Sequence, residues 1–211
     1  MGKLEAVVEV LEADQKANRQ HFFKFLRAFL RNPGSVGAIV PSAPELARAM
    51  VAGLDLQAGE TLLELGPGTG AFTDKIRLML PEGAAYLGIE RELAFVELLQ
   101  RRFPDMHFVN GSAEDASEIH QDSGLGEVRA IVSSLPFATL LADVRNNIIE
   151  DVEHLMTPQC VFRTFQYVHA FPLPSAVRFR RAMDDRFGPF HRSRAVLPNV
   201  PPAYVLTWQG R

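Results

Sequence analysis

A chain of 211 residues, 47% hydrophobic and 22% charged, suits one domain with a full core and is too ordinary in composition for a disordered or disulfide-stapled protein. The single cysteine, Cys160, cannot form an internal disulfide and points to a reducing compartment; no run of about eighteen apolar residues marks a membrane span, and no basic-then-apolar leader opens the sequence. The net charge of −3 hides an asymmetry: residues 1–160 hold 14 basic and 23 acidic side chains, residues 161–211 hold 8 and 2, and no acid stands between Gln15 and Pro44. Basic, acid-free regions at both ends suggest an anionic partner surface, although either alone is also what a solvated face looks like.

Leu4, Val7, Val8 and Leu11 fall at helical spacing with Glu5, Glu9 and Glu12 opposite, which predicts an acidic amphipathic helix. The next segment differs in kind. A helical projection of residues 19–31 gathers Phe22, Phe23, Phe25, Leu26, Phe29 and Leu30 on one arc and sets Gln20, Lys24, Arg27 and Arg31 against it. Aromatic bulk opposite cations is the make-up of an interfacial helix on anionic lipid; a core helix with a basic outer face is the alternative. Asn32-Pro33-Gly34 stops that helix and divides a helical, membrane-interacting extension, 1–34, from a domain, 35–211. Ser42 and Glu45 then form a capping box, with Pro44 in the first turn of a helix running to about Gly53.

Thr61 to Leu65 reads as a buried strand, followed by a glycine turn (Gly66, Gly68, Gly70) and a helix from Gly70 to about Met79. A second strand, Ala85 to Glu90, ends in a carboxylate able to accept hydrogen bonds from both hydroxyls of a ribose. Gly66, Gly68 and Ala71 also satisfy the looser G-x-G-x-x-G/A pattern of dinucleotide proteins. Glu64, two residues before the turn, would repel a pyrophosphate and suits a cationic cofactor with a free amino group. The run Glu64-Leu65-Gly66-Pro67-Gly68-Thr69-Gly70 resembles motif I of class I S-adenosylmethionine (SAM) methyltransferases.

Leu93 to Arg102 is predicted helical, and Met106 to Val109 is a third strand. Its exit, Asn110 to Asp115, carries Ser112 where an acidic residue usually follows the glycine. The adenine contact then falls to Glu114, Asp115 or the backbone of Ala113, and each acid serves equally as a helix N-terminal charge. Val128 to Ser133 is a fourth strand leading into Ser134-Leu135-Pro136-Phe137, at the carboxyl end of a central strand, where open α/β sheets bind ligands. A long helix spans roughly Ala138 to Met156, and a fifth strand runs from Gln159 to about Val168 with Tyr167 and His169 at its exit. Pro172-Leu173-Pro174 precedes a short helix holding Arg178, Arg180 and Arg181. Ser193 to Leu197 and Ala203 to Trp208 form a terminal strand pair.

The run 29–50, the glycine motif, Gly88-Ile89-Glu90 and Ser134-Leu135-Pro136-Phe137 together resemble the short, soluble bacterial phospholipid N-methyltransferases, which are similar to the rRNA adenine dimethylases. The resemblance implies a Rossmann-like, seven-stranded class I α/β fold with its last strand antiparallel. It implies stepwise N-methylation of phosphatidylethanolamine to phosphatidylcholine with SAM as cofactor and S-adenosylhomocysteine as product. Glu64, Gly66, Gly68, Thr69, Gly70, Glu90 and Arg91 are expected to hold SAM, with Ser112, Ala113 and Glu114 near its adenine and Ser133 and Ser134 near its reactive end.

The attacking amine must be neutral, so Tyr167, His169 or a water is expected to take its proton. Phe137 and Tyr167 would hold methylated cations by cation–π contact, and Arg178, Arg180 and Arg181 the lipid phosphate. No metal is expected. The expected setting is a cytoplasmic monomer, peripheral to the inner face of the cell membrane and bound to anionic lipid, with no nucleic-acid partner. Ornithine lipid is an alternative acceptor. RNA adenine N6-methylation also competes, but overall acidity and the altered Asn-Leu-Pro-Tyr motif weigh against it.

Overall fold

The computed structural model describes residues 44–199 and 201–211. The expected extension 1–34, the segment from Phe22 to Arg31 and Ser42 of the capping box lie outside these residues. Among the described residues there are six α-helices: α1 (Pro44–Val51), α2 (Thr73–Met79), α3 (Leu93–Arg102), α4 (Ala116–Ser123), α5 (Ala142–Leu155) and α6 (Pro174–Phe187). The strands are β1 (Thr61–Leu65), β2 (Ala85–Glu90), β3 (His107–Asn110), β4 (Val128–Ser133), β5 (Val161–Tyr167), β6 (His191–Arg192) and β7 (Ala203–Gln209). No helix among the described residues is long and apolar enough to cross a membrane.

The seven strands form one sheet in the order β3-β2-β1-β4-β5-β7-β6. Strands β1 to β5 are parallel and β7 runs antiparallel between β5 and β6. This is the Rossmann-like methyltransferase fold expected from the sequence. β1 is buried at all five positions, as a parallel strand covered on both faces requires. One face packs α1, α2 and α3 through Leu46, Met50, Ile76 and Leu99; the other packs α4, α5 and α6 through Ala116, Ile149, Phe179 and Met183. Strand order reverses between β1 and β4, so the crevice at their carboxyl ends is the topological switch point.

Local chemistry explains where predicted boundaries shift. Gly70 sits at φ +85°, which no helix tolerates, so α2 begins at Thr73 rather than at Gly70. Among the described residues no strand forms over the expected span Ser193–Leu197: the strand stands just before it, at His191–Arg192, and Val196 makes an isolated bridge to Ala203. The helix expected from Ala138 starts at Ala142, because Thr139 and Leu140 turn back onto the Pro136 carbonyl. The sequence offers Glu114 and Asp115 as helix N-terminal charges without bounding a helix; α4 fills that place, with a polar sequence, ASEIHQDS, that buries only Ala116.

Gly70 also has no room for a side chain, since a Cβ there would lie 2.6 Å from Phe103 and 3.0 Å from Leu99. Gly70→Ala is expected to destabilise the chain by about 2 kcal/mol in urea unfolding. Gly53→Ala, also at positive φ but with nothing within 4 Å of its Cβ, should cost clearly less because it carries backbone strain alone.

Candidate active site

The glycine turn is built from both neighbouring strands. Gly66 N–H donates to the Ile89 carbonyl (2.9 Å), and Gly70 N–H closes the turn onto Pro67 (2.9 Å). Gly66, Gly68 and Gly70 all lie at positive φ, between +59° and +85°. Among the described residues nothing but the Gly66 carbonyl, at 3.9 Å, faces a Cβ built on Gly68, so these residues leave space above the turn for a ligand. Thr69 contributes its carbonyl, which accepts from Arg102 Nη1 (2.8 Å) and so ties α3 to the turn.

Glu64 lies fully buried beneath the turn. Its Oε2 accepts from Thr73 Oγ1 (2.7 Å) and from the Tyr86 hydroxyl (2.7 Å), while its Oε1 is buried with no hydrogen-bond partner among the described residues. Burial pushes its pKa up to about 7, with the nearby Glu90 carboxylate adding to the rise and the two hydroxyls opposing it. Burial likewise raises the Tyr86 phenol well above its ordinary value, so Tyr86 remains a donor. Gly88 stands opposite Glu64 in register, and a Cβ there would sit 2.6 Å from the Tyr86 hydroxyl. The missing side chain leaves the passage by which Tyr86 reaches Glu64. Neither Tyr86 nor Thr73 stands out in the sequence as a site residue; the available signal was a bare glycine paired with the motif acid.

Glu90 ends β2 with its carboxyl held by backbone N–H groups: Gly68 to Oε2 (2.9 Å) and Glu92 to Oε1 (3.0 Å). Burial raises its pKa while these N–H groups hold it down. Each oxygen keeps an acceptor lone pair. Asn110 Nδ2 braces this corner by donating to the carbonyls of Glu90 (3.0 Å) and Arg91 (2.9 Å), whereas the Arg91 residue itself is exposed.

Ser112 caps the short 3-10 turn Ala113–Asp115, its Oγ accepting from Glu114 N–H (3.3 Å). Glu114 turns toward α5, where Asn147 Nδ2 donates to its Oε1 (2.9 Å).

The β4 exit braces the turn from the other side. Ser134 N–H donates to the Leu65 carbonyl (3.1 Å), and the Ser134 hydroxyl donates to the Gly66 carbonyl. Ser134 therefore holds the turn and does not offer a free hydroxyl to an acceptor. Ser133 is buried, its Oγ accepting from Leu135 N–H (3.3 Å).

Two expectations on the acceptor side need correction. Phe137 is a core residue, stacked on Phe179 at 4.3 Å between centroids and edge-on to Phe162, which leaves no free ring face for a cation. The three arginines do not converge either: Arg178 and Arg181 are exposed on α6, whereas Arg180 is buried and bonded to Gln166 and the Phe171 carbonyl. Tyr167 and His169 do come together at the β5 exit, their rings near-parallel at 5.7 Å. Burial raises the Tyr167 pKa, so its phenol stays protonated at neutral pH. Among the described residues, no group of His, Cys, Asp or Glu could hold a metal ion.

SAM fits these residues. The turn is open above Gly68, the Glu90 carboxylate is presented by two N–H groups, and one buried oxygen of Glu64 lacks a donor. Fold and site define a class I SAM-dependent methyltransferase. The family model of protein-L-isoaspartate(D-aspartate) O-methyltransferase matches residues 3–115, more than half of the chain, and the chain belongs to that family. It is similar, at 26% identity over 90% of its length and 96% of the relative's, to an ornithine lipid N-methyltransferase of Singulisphaera acidiphila. It is also similar, at 33% identity but over only 42% of its length and 31% of the relative's, to ribosomal RNA small subunit methyltransferase A of Cupriavidus metallidurans. Among solved structures, fibrillarin of Aeropyrum pernix with natively bound SAM shares the fold at a TM-score of 0.59, with 12% identity over 79% of this chain and 73% of that one.

Glu64 ties stability to pH. Its folded pKa, about 7, lies above the ordinary 4.5, so the folded state binds the extra proton between those values. Stability from this group therefore falls as pH rises from about 4.5 to about 7, by up to ~3 kcal/mol. Glu64→Gln, which stays neutral, should flatten that slope in urea unfolding at pH 5 and pH 7.5 without cofactor. An unchanged slope would mean that the buried carboxyl does not titrate there.

Proposed function

We propose that this enzyme transfers the methyl group of SAM to the primary amine of a membrane aminolipid. One observation carries the reading: the relative that matches nearly end to end is an ornithine lipid N-methyltransferase, while the rRNA methyltransferase match spans less than half of the chain. The isoaspartate family model ends at Asp115, before the β4 exit and residues 161–211, so it speaks for the cofactor half. Ornithine lipid is the favoured acceptor on this ground. Phosphatidylethanolamine, methylated stepwise to phosphatidylcholine, is the second, favoured by the motif at residues 134–137.

The cofactor supplies an activated methyl on a sulfonium, so the chain's own task is to align the attacking amine and dispose of its proton. In this reading the unpaired Oε1 of Glu64 meets the cofactor's ammonium, and Glu90 takes the ribose hydroxyls. A headgroup amine is cationic at neutral pH and must lose a proton before it attacks. Tyr167 cannot accept it while its own phenol is held protonated, which leaves the stacked His169, or a water beside it, as acceptor. The Phe22–Arg31 segment would hold the enzyme on the inner membrane surface. Replacing Lys24, Arg27 and Arg31 together by Gln should weaken binding to anionic vesicles by at least tenfold, at roughly 1 kcal/mol per cation near the surface.

The decisive assay offers the full chain SAM with a deuterated methyl group. Vesicles of ornithine lipid or phosphatidylethanolamine mixed with anionic lipid serve as acceptors, and ribosomal RNA and an isoaspartyl peptide serve as competitors. Label is expected in ornithine lipid, with phosphatidylethanolamine as the weaker acceptor. Label confined to RNA or to peptide would overturn the reading.

A further inference from the structure

On the α6 side of the sheet, at the carboxyl end of β5, Arg180 belongs to a different cluster from the one expected with Arg178 and Arg181. Arg180 is buried, and its Nη1 donates to Gln166 Oε1 (2.6 Å) and to the Phe171 carbonyl (2.9 Å). Its guanidinium carbon lies 3.8 Å from the centroid of the Phe171 ring. Arg192, exposed on β6, reaches the same ring at 5.4 Å and covers Tyr204 at 4.6 Å. Two cations thus share one aromatic ring.

No carboxylate pairs with either within 4.0 Å among the described residues. Asp184 acts on Arg180 through its charge, but its Oδ1 already accepts from Trp208 Nε1 (2.8 Å) and Phe190 N–H (3.2 Å). Burial lowers the Arg180 pKa; the Asp184 charge opposes that shift, and the Arg192 charge adds to it less strongly. The amide Nε2 of Gln166 is buried without a partner among the described residues. Among the described residues the cluster therefore holds surplus positive charge and donors with no partner: Nε and Nη2 of Arg180, the whole Arg192 fork, and one amide N–H₂. An oxyanion is the ligand such forks accept in paired geometry.

We propose that Arg180 and Arg192, framed by Phe171 and Gln166, form a subsite for the oxyanion of the aminolipid headgroup. The proposal rests on the aminolipid reading. Gln166 precedes Tyr167 on β5 and points to the opposite face, so this subsite and the Tyr167–His169 pair flank the end of one strand. In this proposal the acceptor's anion sits on the α6 face of that end while its amine meets the Tyr167–His169 pair. The shared chemistry is a carboxylate, as in ornithine lipid, or a phosphate, as in phosphatidylethanolamine. Arg178 and Arg181, exposed on α6, take no part.

The test uses the full chain, Arg192→Gln, and Arg194→Gln as a control on an exposed neighbour outside the cluster. Arg192→Gln should raise KM for the vesicle lipid about tenfold, with SAM affinity by calorimetry unchanged. Arg194→Gln should change KM less than twofold. A long-chain primary amine without an oxyanion, in the same vesicles, should be methylated equally by wild type and Arg192→Gln. The lipid whose KM rises identifies the anion: ornithine lipid a carboxylate, phosphatidylethanolamine a phosphate. An unchanged KM on both lipids, or an equal loss on the plain amine, overturns the subsite. Should wild type methylate no aminolipid, binding of inorganic phosphate followed by phosphorus NMR separates the two ideas. Phosphate binding lost in Arg192→Gln keeps the anion site while the lipid reading falls; binding unchanged in the variant overturns the site.

Discussion

One buried carboxyl group holds the cofactor half of this molecule together. Glu64 stands on the central strand, and its Oε2 gathers a hydroxyl from the first residue of α2 and another from β2. Three consecutive elements therefore converge under the glycine turn, at the point where strand order reverses. Such a group is costly to bury when charged, because water is lost and only one of its oxygens is satisfied. The fold meets that cost by keeping the proton to about neutral pH. A cation arriving at the free oxygen would reverse the balance and favour the ionised form.

The rest of the site is braced from the same centre. Ser134 fastens the β4 exit to the Gly66 carbonyl, Arg102 fastens α3 to the Thr69 carbonyl, and Asn110 fastens β3 to the end of β2. Each of these side chains donates to a backbone oxygen, and Ser134 and Arg102 do so within a turn that has few side chains of its own. Rigidity at a glycine turn thus comes from its neighbours. Toward β5 the character changes: aromatic rings and arginines replace the acids, as the charge asymmetry of the last fifty residues foreshadows.

The sheet was legible because its strands obey simple rules. Runs such as Leu62–Leu65, apolar but for Glu64, belong to strands covered on both faces, and glycine clusters punctuate them. The cofactor turn was legible for the same reason, since positive φ demands glycine. Helix α4 was hidden by its polarity, and the short β6 by the weak pairing of an edge. Among site residues, the acids Glu64 and Glu90 announce themselves by position, but hydrogen-bond partners do not. Tyr86 looks like any strand aromatic until the register sets Gly88 against Glu64. Phe137 had the reverse fault: its place after a central strand suggested a ligand contact, yet stacking on Phe179 claims its ring. Arg178 and Arg181 share the exposed face of α6 while Arg180 turns inward, and only tertiary packing brings Arg180 toward Arg192.

The most direct test of this account is proton release on cofactor binding. The full chain is titrated calorimetrically with SAM at pH 6 and pH 8, in buffers of different ionisation enthalpy. If the unpaired oxygen of Glu64 receives the cofactor's cation, binding at pH 6 should release close to one proton, and at pH 8 far fewer, with the difference abolished in Glu64→Gln. Equal proton release at both pH values, or the same release in the variant, would contradict the claim that this buried carboxyl is the cofactor's partner.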